Sequence, residues 1–314
     1  MIFSKNKVYL IAEIANSHEG NFESAKKLID AAHSSNADIV KFQLFKTTEL
    51  LEKNHESFNL FQKLEMKNSE WLKLIGYAKR KKIKVFFDVF GISSAKIAYK
   101  LKPDGFKIHT SDITNSQLLN FFSKSKKPIL LSTGGVTTKE ISYALERLTK
   151  NNKEIILMHG FQGYPTKLLE LNLLRIIELK KQFGLPVGIM EHVSGDSDMA
   201  MIAPLLGISL GATIIEKHLT IDRSLKGTDY FSSLNPNEFK ILSKLIHSTK
   251  QSLGSKDFVF SKNELLYRLK HKKNTIVKRP LQKNTKLNEN LFTYKRTKLK
   301  KESVPYYEFN YRLT

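Results

Sequence analysis

The sequence predicts an α/β fold, a (β/α)8 barrel followed by a small and incomplete C-terminal domain. Apolar or β-branched runs of strand length alternate eight times with amphipathic stretches that carry turn signals. The alternation fills about 250 residues, which is the usual size of such a barrel. No glycine-rich nucleotide turn follows the first strand, and this disfavours the rival open, doubly wound sheet.

The boundaries of the elements follow from changes of period along the chain. We predict strands over 7–14, 38–44, 84–90, 105–111, 128–133, 154–160, 186–193 and 213–220. We predict helices over 21–35, 69–82, 92–102, 115–125, 137–150, 167–183, 197–210 and 236–253. Asn21 and Asn68 are expected caps, and Asn235 with Pro236 combines a cap with a first-turn proline.

The chain is predicted to divide near residue 255. Residues 1–255 form the barrel, and residues 256–314 form a linker and a small folded module rather than a disordered arm. The last 60 residues contain 16 Lys/Arg and 5 Asp/Glu, so they contribute +11 of the net charge of +22. A Lys-rich solvated surface explains this charge most simply, and a field that attracts an anionic substrate comes next. Without a recognised motif, no nucleic-acid partner is expected.

Composition also narrows the class of protein. The chain has no cysteine, which excludes disulfides, thiolate metal sites and cysteine nucleophiles. Residues 1–15 carry Glu13 in their apolar stretch and lack a small-residue cleavage site, so we interpret them as a strand and not as a signal peptide. Pro204, Gly207 and Gly211 interrupt the longest uncharged run, so it is not interpreted as a membrane span. We expect a cytoplasmic enzyme with no membrane partner.

Polar residues close consecutive strands of the predicted barrel. Side chains alternate along a strand, so sequence parity decides which of them point into the barrel. If the functional residues face in, parity assigns Glu191 and Lys217 to the helix layer and places His192 beside His218, where the two imidazoles could hold one divalent metal. The predicted mouth contains Glu13, Lys41, Gln43, Asp88, Lys107, Ser132, His192, Glu216 and His218. Its two lysines, two histidines and a carboxylate predict a site for an anionic substrate and a metal-polarised group.

Short motifs in this order resemble those of the sialic acid synthase family. They are IAEIANSHEG at 11–20, VKFQ at 40–43, FKI at 106–108, LSTGG at 131–135, YPT at 164–166, EH at 191–192, EKH at 216–218 and GTD at 227–229. The resemblance covers about residues 8–254 and implies an enzyme that condenses phosphoenolpyruvate with an N-acyl amino sugar aldehyde. The implied products are a nine-carbon 2-keto-3-deoxy sugar acid and phosphate, the phosphate leaving by C–O cleavage.

The resemblance also implies roles for individual residues. Glu13 is similar to the carboxylate at the reacting centre, and His192 and His218 to the catalytic metal ligands, with Mn2+ as the expected cofactor and Mg2+ or Co2+ as alternatives. The implied contacts of phosphoenolpyruvate are Lys41, Lys107, Thr110 and Ser132. The implied contacts of the sugar are Gln43, Asp112, Gln162, Tyr164, Asp229 and Arg296.

The basic tail resembles the first half of the family's C-terminal antifreeze-protein-like (SAF) domain. The similar stretches are 274–281 and 290–296, and the second half of the domain is expected to be missing. In the family this domain caps the barrel of the partner subunit, so the resemblance implies a domain-swapped homodimer in which Arg296 reaches the acyl group of the substrate. For Arg296 the alternative is a surface cation of a basic tail.

The sequence departs from the family pattern at several positions. Asp88 replaces a threonine near the phosphate, Met190 a serine, and Glu191 an aspartate; Gln162 and Ser17 each replace an asparagine. Two other interpretations therefore stay open. One is a pyruvate aldolase that forms a Schiff base at Lys41 or Lys107. The other is a degenerate barrel that binds an acidic sugar or a partner enzyme without turnover.

Overall fold

Eight parallel strands close into a barrel in the first of two structural units, Met1–Gly254 and Ser255–Thr314. The computed structural model describes residues 2–4, 7–149, 154–298, 304–305 and 307–308. Each strand pairs in parallel with the next, and the first also pairs with the eighth. The strands are β1 Tyr9–Ala15, β2 Ile39–Phe45, β3 Lys84–Phe90, β4 Gly105–Ile108, β5 Ile129–Ser132, β6 Ile155–His159, β7 Val187–Met190 and β8 Ile214–His218. The predicted (β/α)8 barrel is confirmed.

Helices connect the strands. They are α1 Phe22–Ser34, α2 Thr47–Leu50, α3 Phe58–Leu64, α4 Asn68–Arg80, α5 Ile92–Lys100, α6 Ser116–Phe122, α7 Thr138–Leu148, α8 Arg175–Phe183, α9 Met199–Ser209 and α10 Pro236–Ser252. No helix in the described ranges is long and apolar enough to cross a membrane.

Three helical predictions were wrong in detail. The helix predicted over 167–183 begins only at Arg175, because Asn172 adopts a left-handed conformation with φ of 44° and breaks the helical path. The prediction lacked α2 and α3, which are too short to show a clear period. The cap of α4 is Lys67 rather than Asn68, and the Lys67 N–H donates to Glu70 Oε2 at 2.9 Å.

The other two caps follow the prediction. Asn21 accepts the N–H of Ser24 at 2.9 Å at the start of α1. At the start of α10, the Asn235 N–H donates to Glu238 Oε2 at 2.7 Å, and Pro236 occupies the first turn.

Alternation along the strands produces two separate apolar clusters. The larger lies between the strands and the helices and includes Phe42, Phe87 and Trp71. The smaller fills the barrel interior and consists of Tyr9, Ile11, Ile39, Phe86, Leu130, Ile156, Met158, Met190 and Ile214. Gly105 makes room for the Phe86 ring, because a Cβ at Gly105 would lie 2.3 Å from that ring. The barrel interior is therefore filled by apolar side chains below the mouth. The polar residues at the strand ends lie directly above these side chains.

The second unit holds a helix and a two-stranded sheet among its described residues. Helix α11, Lys262–His271, begins at the cap Ser261, and strands β9, Asn274–Val277, and β10, Phe292–Lys295, pair antiparallel. The sequence analysis did not predict α11. Strands β9 and β10 lie within the two stretches that resemble the antifreeze-protein-like domain, and that assignment stays a prediction. Residues 299–303, 306 and 309–314 of the predicted module lie outside the described residues.

Candidate active site at the barrel mouth

Strand register places the predicted polar residues next to one another at the carboxyl ends of the strands. Glu13 of β1 pairs with Lys41 of β2 on one side and with His218 of β8 on the other. Asp88 of β3 pairs with Lys107 of β4. Because residues paired across parallel strands share a face, these side chains all enter the barrel. The predicted inward set is thus brought together in the structure.

Five of these side chains form a buried charged group that we call the inner cluster: Glu13, Lys41, Asp88, Lys107 and Glu216. Lys41 Nζ contacts the carboxylate of Glu13 and lies 3.5 Å from Glu216 Oε1. Lys107 Nζ donates to Glu216 Oε1 at 2.6 Å. None of the five is more than 3% exposed, so their charges interact with little screening by water. A polar group of this size at one end of the barrel indicates a site rather than a core.

The two lysines differ in basicity. Burial lowers the pKa of Lys41 to about 8, and the nearby ammonium of Lys107 contributes to the decrease. Burial also disfavours the charged form of Lys107, but the carboxylates of Glu216 and Asp88 outweigh it and raise the pKa of that lysine. Lys107 is therefore the fixed cation of the cluster, whereas Lys41 is the easier of the two to deprotonate.

The two histidines lie beside the inner cluster with ring centroids 5.3 Å apart. His192 Nδ1–H donates to the carbonyl of Phe161 at 2.9 Å, so the lone pair of this imidazole is on Nε2, where the hydroxyl of Tyr164 donates at 3.1 Å. His218 Nδ1 is buried and makes no hydrogen bond. Burial lowers the pKa of His192 to about 4 and that of His218 well below its usual value, so both rings are neutral.

These residues fit a divalent metal. Neutral imidazole is the form that binds metal, and each ring has a nitrogen that no backbone group occupies. The carbonyl of Phe161 orients the His192 ring in the way that outer-shell acceptors orient metal ligands. In the described ranges no group of three or more His, Asp or Glu side chains is arranged to hold a metal, so the two imidazoles would share it with water or substrate.

Several buried polar atoms around the mouth make no hydrogen bond to the protein. They are Asn16 Oδ1, both carboxylate oxygens of Asp88, Thr110 Oγ1, Glu216 Oε2 and His218 Nδ1. Buried polar atoms are almost always paired, and each one left unpaired costs about 1–3 kcal/mol. Their concentration at one end of the barrel indicates that a polar ligand satisfies them.

The residues predicted to contact phosphoenolpyruvate lie at the same end. Thr110 follows β4 and is half-buried, with the free hydroxyl described above. Ser132 ends β5 and is fully buried, and its hydroxyl donates to the thioether of Met190 at 3.4 Å. Because a thioether is a weak acceptor, the Ser132 hydroxyl is available to a better one.

The residues predicted to contact the sugar are less uniform. Gln43 Oε1 accepts the amide of Asn16 at 2.7 Å, and Tyr164 packs on His192 with ring centroids 4.4 Å apart. Asp112 is engaged in the local fold, since it accepts the N–H of Gly91 at 3.2 Å and the amide of Asn115 at 2.6 Å.

Three other predicted sugar contacts lie in less defined surroundings. Asp229 is half-buried in a left-handed turn with φ of 61°, and burial raises its pKa to about 6. Gln162 is half-buried in the β6–α8 loop, and no hydrogen bond of the described residues includes it. Arg296 belongs to the second unit, where its Nε donates to the carbonyl of His271 at 3.2 Å. Their roles toward a sugar stay predictions.

Glu191 and Lys217 form a second buried group, which we call the outer pair. Lys217 Nζ donates to Glu191 Oε1 at 2.5 Å, and Glu191 Oε2 accepts the N–H of Val193 at 2.7 Å. Parity had assigned both residues to the helix layer, and the pairing agrees with that assignment. The outer pair extends the contact between β7 and β8 beyond Met190, the last residue of β7 in their ladder.

Sequence reasoning missed part of this site. Glu216 was placed in the mouth but given no role, and Asp88 was considered only as a departure from the family near the phosphate, whereas both neutralise the lysines. Asn16 was not predicted, because the strand register shifts between Glu13 and Ala15 and alternation no longer applies beyond that point. Its position in a motif directly after β1 was the only available signal.

Comparison with known proteins agrees with the resemblance carried by the motifs. A profile described as the NeuB family matches residues 28–258. The N,N'-diacetyllegionaminic acid synthase of Campylobacter jejuni is 33% identical over 320 residues, which cover 96% of this chain and 94% of that protein. The enzyme of the same name from Legionella pneumophila is 29% identical over 300 residues, which cover 90% of this chain and 83% of that protein.

A solved structure agrees as well. The N-acetylneuraminic acid (sialic acid) synthetase of Leptospira borgpetersenii, crystallised with citrate, superposes with a TM-score of 0.78 at 31% identity and covers 84% of this chain and 92% of that one. The resemblance inferred from the motifs is confirmed. Since the profile spans most of the barrel and the relatives match along nearly their whole length, the chain belongs to the NeuB family.

Proposed function

We propose that this protein condenses phosphoenolpyruvate with an N-acyl amino sugar aldehyde, as a transferase of the EC 2.5.1 type. The products are a nine-carbon 2-keto-3-deoxy sugar acid and inorganic phosphate. Relatives named legionaminic acid and sialic acid synthases support the reaction class. The acceptor is expected to be one of the amino sugars that lead to sialic, legionaminic or pseudaminic acid.

The observation that carries the proposal is the combination of two buried lysines with unpaired polar atoms and two neutral imidazoles in one closed mouth. Lys41 and Lys107 can hold the anionic donor, with the hydroxyls of Thr110 and Ser132 as additional donors. The two imidazoles lie beside the inner cluster, with His218 paired to Glu13, and there the carbonyl group of the acceptor would be polarised.

The proposed reaction balances with these groups. The electron pair of the C2–C3 double bond of phosphoenolpyruvate forms a bond from carbon 3 to the aldehyde carbon of the open-chain sugar. The π bond of the aldehyde breaks, and its oxygen takes a proton to become a hydroxyl group. Water adds to the positive carbon 2 and loses one proton, so the two proton transfers balance. The tetrahedral intermediate then expels phosphate by cleavage of the C–O bond to leave the 2-keto group. Glu13 is positioned to stabilise the charge at carbon 2 or to accept the proton of the water, since it lies between Lys41 and His218. A divalent ion held by His192 and His218 would supply Lewis-acid polarisation of the aldehyde oxygen.

The test is release of inorganic phosphate from phosphoenolpyruvate with Mn2+. The acceptor panel contains N-acetylmannosamine and the 2,4-diacetamido-trideoxyhexoses, with a chelator control and a sugar-free control. Release that needs both the sugar and the metal is the expected result. If protein that demonstrably binds Mn2+ releases no phosphate with any sugar, the proposal is rejected in favour of a binding barrel without turnover.

A pyruvate aldolase with a Schiff base at Lys41 is the second candidate. It is favoured by the lowered pKa of Lys41, since a neutral amine is the nucleophile in such enzymes. Lys107 is a poorer candidate because its pKa is raised. Borohydride reduction in the presence of pyruvate discriminates between the two functions: a covalent adduct that Lys41→Met removes supports the aldolase, and unmodified protein supports the synthase.

The assembly is proposed with the function. A domain-swapped homodimer is expected from the family resemblance, with Arg296 of the second unit directed at the acyl group of the sugar. Light scattering of the full chain and of a variant ending at Gly254 tests this. The proposal predicts a dimer for the full chain and a monomer for the shortened one.

A further inference from the structure

Asp88 occupies the position that a ligand anion would take between the two lysines. A single oxygen, Asp88 Oδ2, lies 3.5 Å from Lys41 Nζ and 3.6 Å from Lys107 Nζ. Neither oxygen of this carboxylate makes a hydrogen bond, although the side chain is only 1% exposed. Asp88 thus interacts with both cations through charge alone, at a bridging point.

The other two carboxylates of the inner cluster are held differently. Glu13 Oε1 accepts the N–H of Ala15 at 2.8 Å, and Glu216 Oε1 accepts Lys107 Nζ at 2.6 Å. Each therefore has a fixed hydrogen-bond partner, and each already neutralises one lysine. Asp88 is the additional acid that gives the inner cluster three carboxylates against two lysines.

The excess of carboxylates over lysines in the inner cluster affects the binding of an anionic donor. A phosphate group gains the most binding free energy from cations that are not already neutralised. Charges interact strongly at short range in a site closed to water. Here both ammonium groups are neutralised before a ligand arrives, and the Asp88 carboxylate would lie beside the entering phosphate oxygens. Met190 accepts the Ser132 hydroxyl through its thioether and cannot itself donate a hydrogen bond to a phosphate, so it does not compensate for Asp88.

We propose that Asp88 is a specificity-determining residue that competes with the phosphate of the donor for Lys41 and Lys107. Asp88 weakens ground-state binding of phosphorylated ligands and leaves the contacts of the sugar unchanged. The inference rests on the proposed function for the identity of the donor. The competition itself concerns any phosphate-bearing ligand of the two lysines.

The experiment titrates the full chain with inorganic phosphate in an isothermal calorimeter, without metal and at constant ionic strength. The variants are Asp88→Asn, which keeps the shape of the side chain, and Asp88→Thr, which replaces the carboxylate by a hydroxyl. Glu146→Gln is the matched control, because it removes one negative charge from the exposed face of α7. Circular dichroism melting shows that each variant is folded.

Both Asp88 variants are expected to bind phosphate at least about tenfold more tightly than the parent protein and the control. In the turnover assay the KM for phosphoenolpyruvate should fall, while the KM for the sugar stays constant, because removing a competitor from the ground state acts on donor binding. Equal or weaker phosphate binding by both folded variants overturns the inference. The titration needs no turnover, so it remains decisive if the synthase assay fails.

Discussion

The inner cluster and the outer pair are two groups of buried charges at the same end of one barrel, and they differ in how completely they are satisfied. Each charged group of the outer pair hydrogen-bonds within the protein, and neither residue has an unpartnered buried atom in the described ranges. In the inner cluster, Asp88 and Glu216 both keep unpartnered oxygens. Both groups have a member on β8, Glu216 in the inner cluster and Lys217 in the outer pair, and these two neighbours point to opposite faces of the strand.

This difference in hydrogen bonding distinguishes charged groups that support the fold from charged groups that can bind a ligand. In a buried ion pair whose polar atoms are all hydrogen-bonded, no atom is free to bind a ligand. The main effect of such a pair is on which conformation is stable. Incompletely paired groups carry a free-energy cost that persists unless a ligand meets them, which is typical of binding sites. Neighbouring residues in the sequence, such as Glu191 and His192 or Lys217 and His218, thus belong to different groups because they point to opposite faces.

The largest expected effect on stability comes from breaking the outer pair. Lys217→Met leaves Glu191 as an unpaired buried carboxylate, so the free energy of unfolding should fall by about 3–5 kcal/mol. The double variant Glu191→Leu/Lys217→Met removes both charges and should recover most of this loss. Urea unfolding followed by circular dichroism measures both. Equal losses in the single and double variants would show that packing, and not the unpaired charge, decides the effect.

The next effect concerns the imidazoles beside the inner cluster. His218→Ala should abolish Mn2+ binding and lower phosphate release at least about a hundredfold, because a Lewis acid contributes several kcal/mol to such a step. The control is His33→Ala on the exposed end of α1. Electron paramagnetic resonance of Mn2+ and the turnover assay are the two measurements. Full activity without this imidazole would contradict its assignment as a ligand.

A smaller effect is expected from Asp229, an acid near the mouth whose pKa is raised to about 6 by burial, with a contribution from Glu19. An unfolded aspartate titrates near 3.9, so the folded state binds the proton more tightly and loses stability as the pH rises through about 6. Asp229→Asn should therefore be more stable by about 1–2 kcal/mol at pH 7, with a difference that vanishes near pH 4. Thermal melts between these pH values test this, and an increase of the difference toward low pH would contradict the sign.

The smallest effect on stability is expected for removal of one charge from the inner cluster, which compares directly with removal of one charge from the outer pair. Asp88→Asn brings the inner cluster to two carboxylates and two lysines, so no lysine becomes unpaired. The free energy of unfolding should change by less than about 1 kcal/mol, against several for Lys217→Met. Urea unfolding of Asp88→Asn and Lys217→Met under the same conditions gives the ratio of the two changes in the free energy of unfolding. A loss as large as that of the outer pair would show that Asp88 holds the barrel together.

The sequence predicted most of the barrel and most of the residues that line its mouth. Period 2 in the strands identified Glu13, Lys41 and Asp88 as inward residues, since alternation is a local property of an extended chain. It failed at Asn16, where the register shift after Glu13 interrupts alternation, and at α8, where Asn172 takes a left-handed conformation inside a helical pattern. The register shift depends on pairing with β2, which no local pattern contains, whereas the break at Asn172 is one of several conformations open to asparagine.

The sequence by itself determined the order of the eight barrel strands, the alternation of faces along them as far as Glu13 in β1, and the family motifs at the strand ends. Only the tertiary structure decided that one oxygen of Asp88 lies between Lys41 and Lys107, and that the Tyr164 hydroxyl meets His192. Parity states which face a residue occupies. Distances across the barrel depend on closure of the sheet and on the path of its loops, because these bring together residues far apart in the chain.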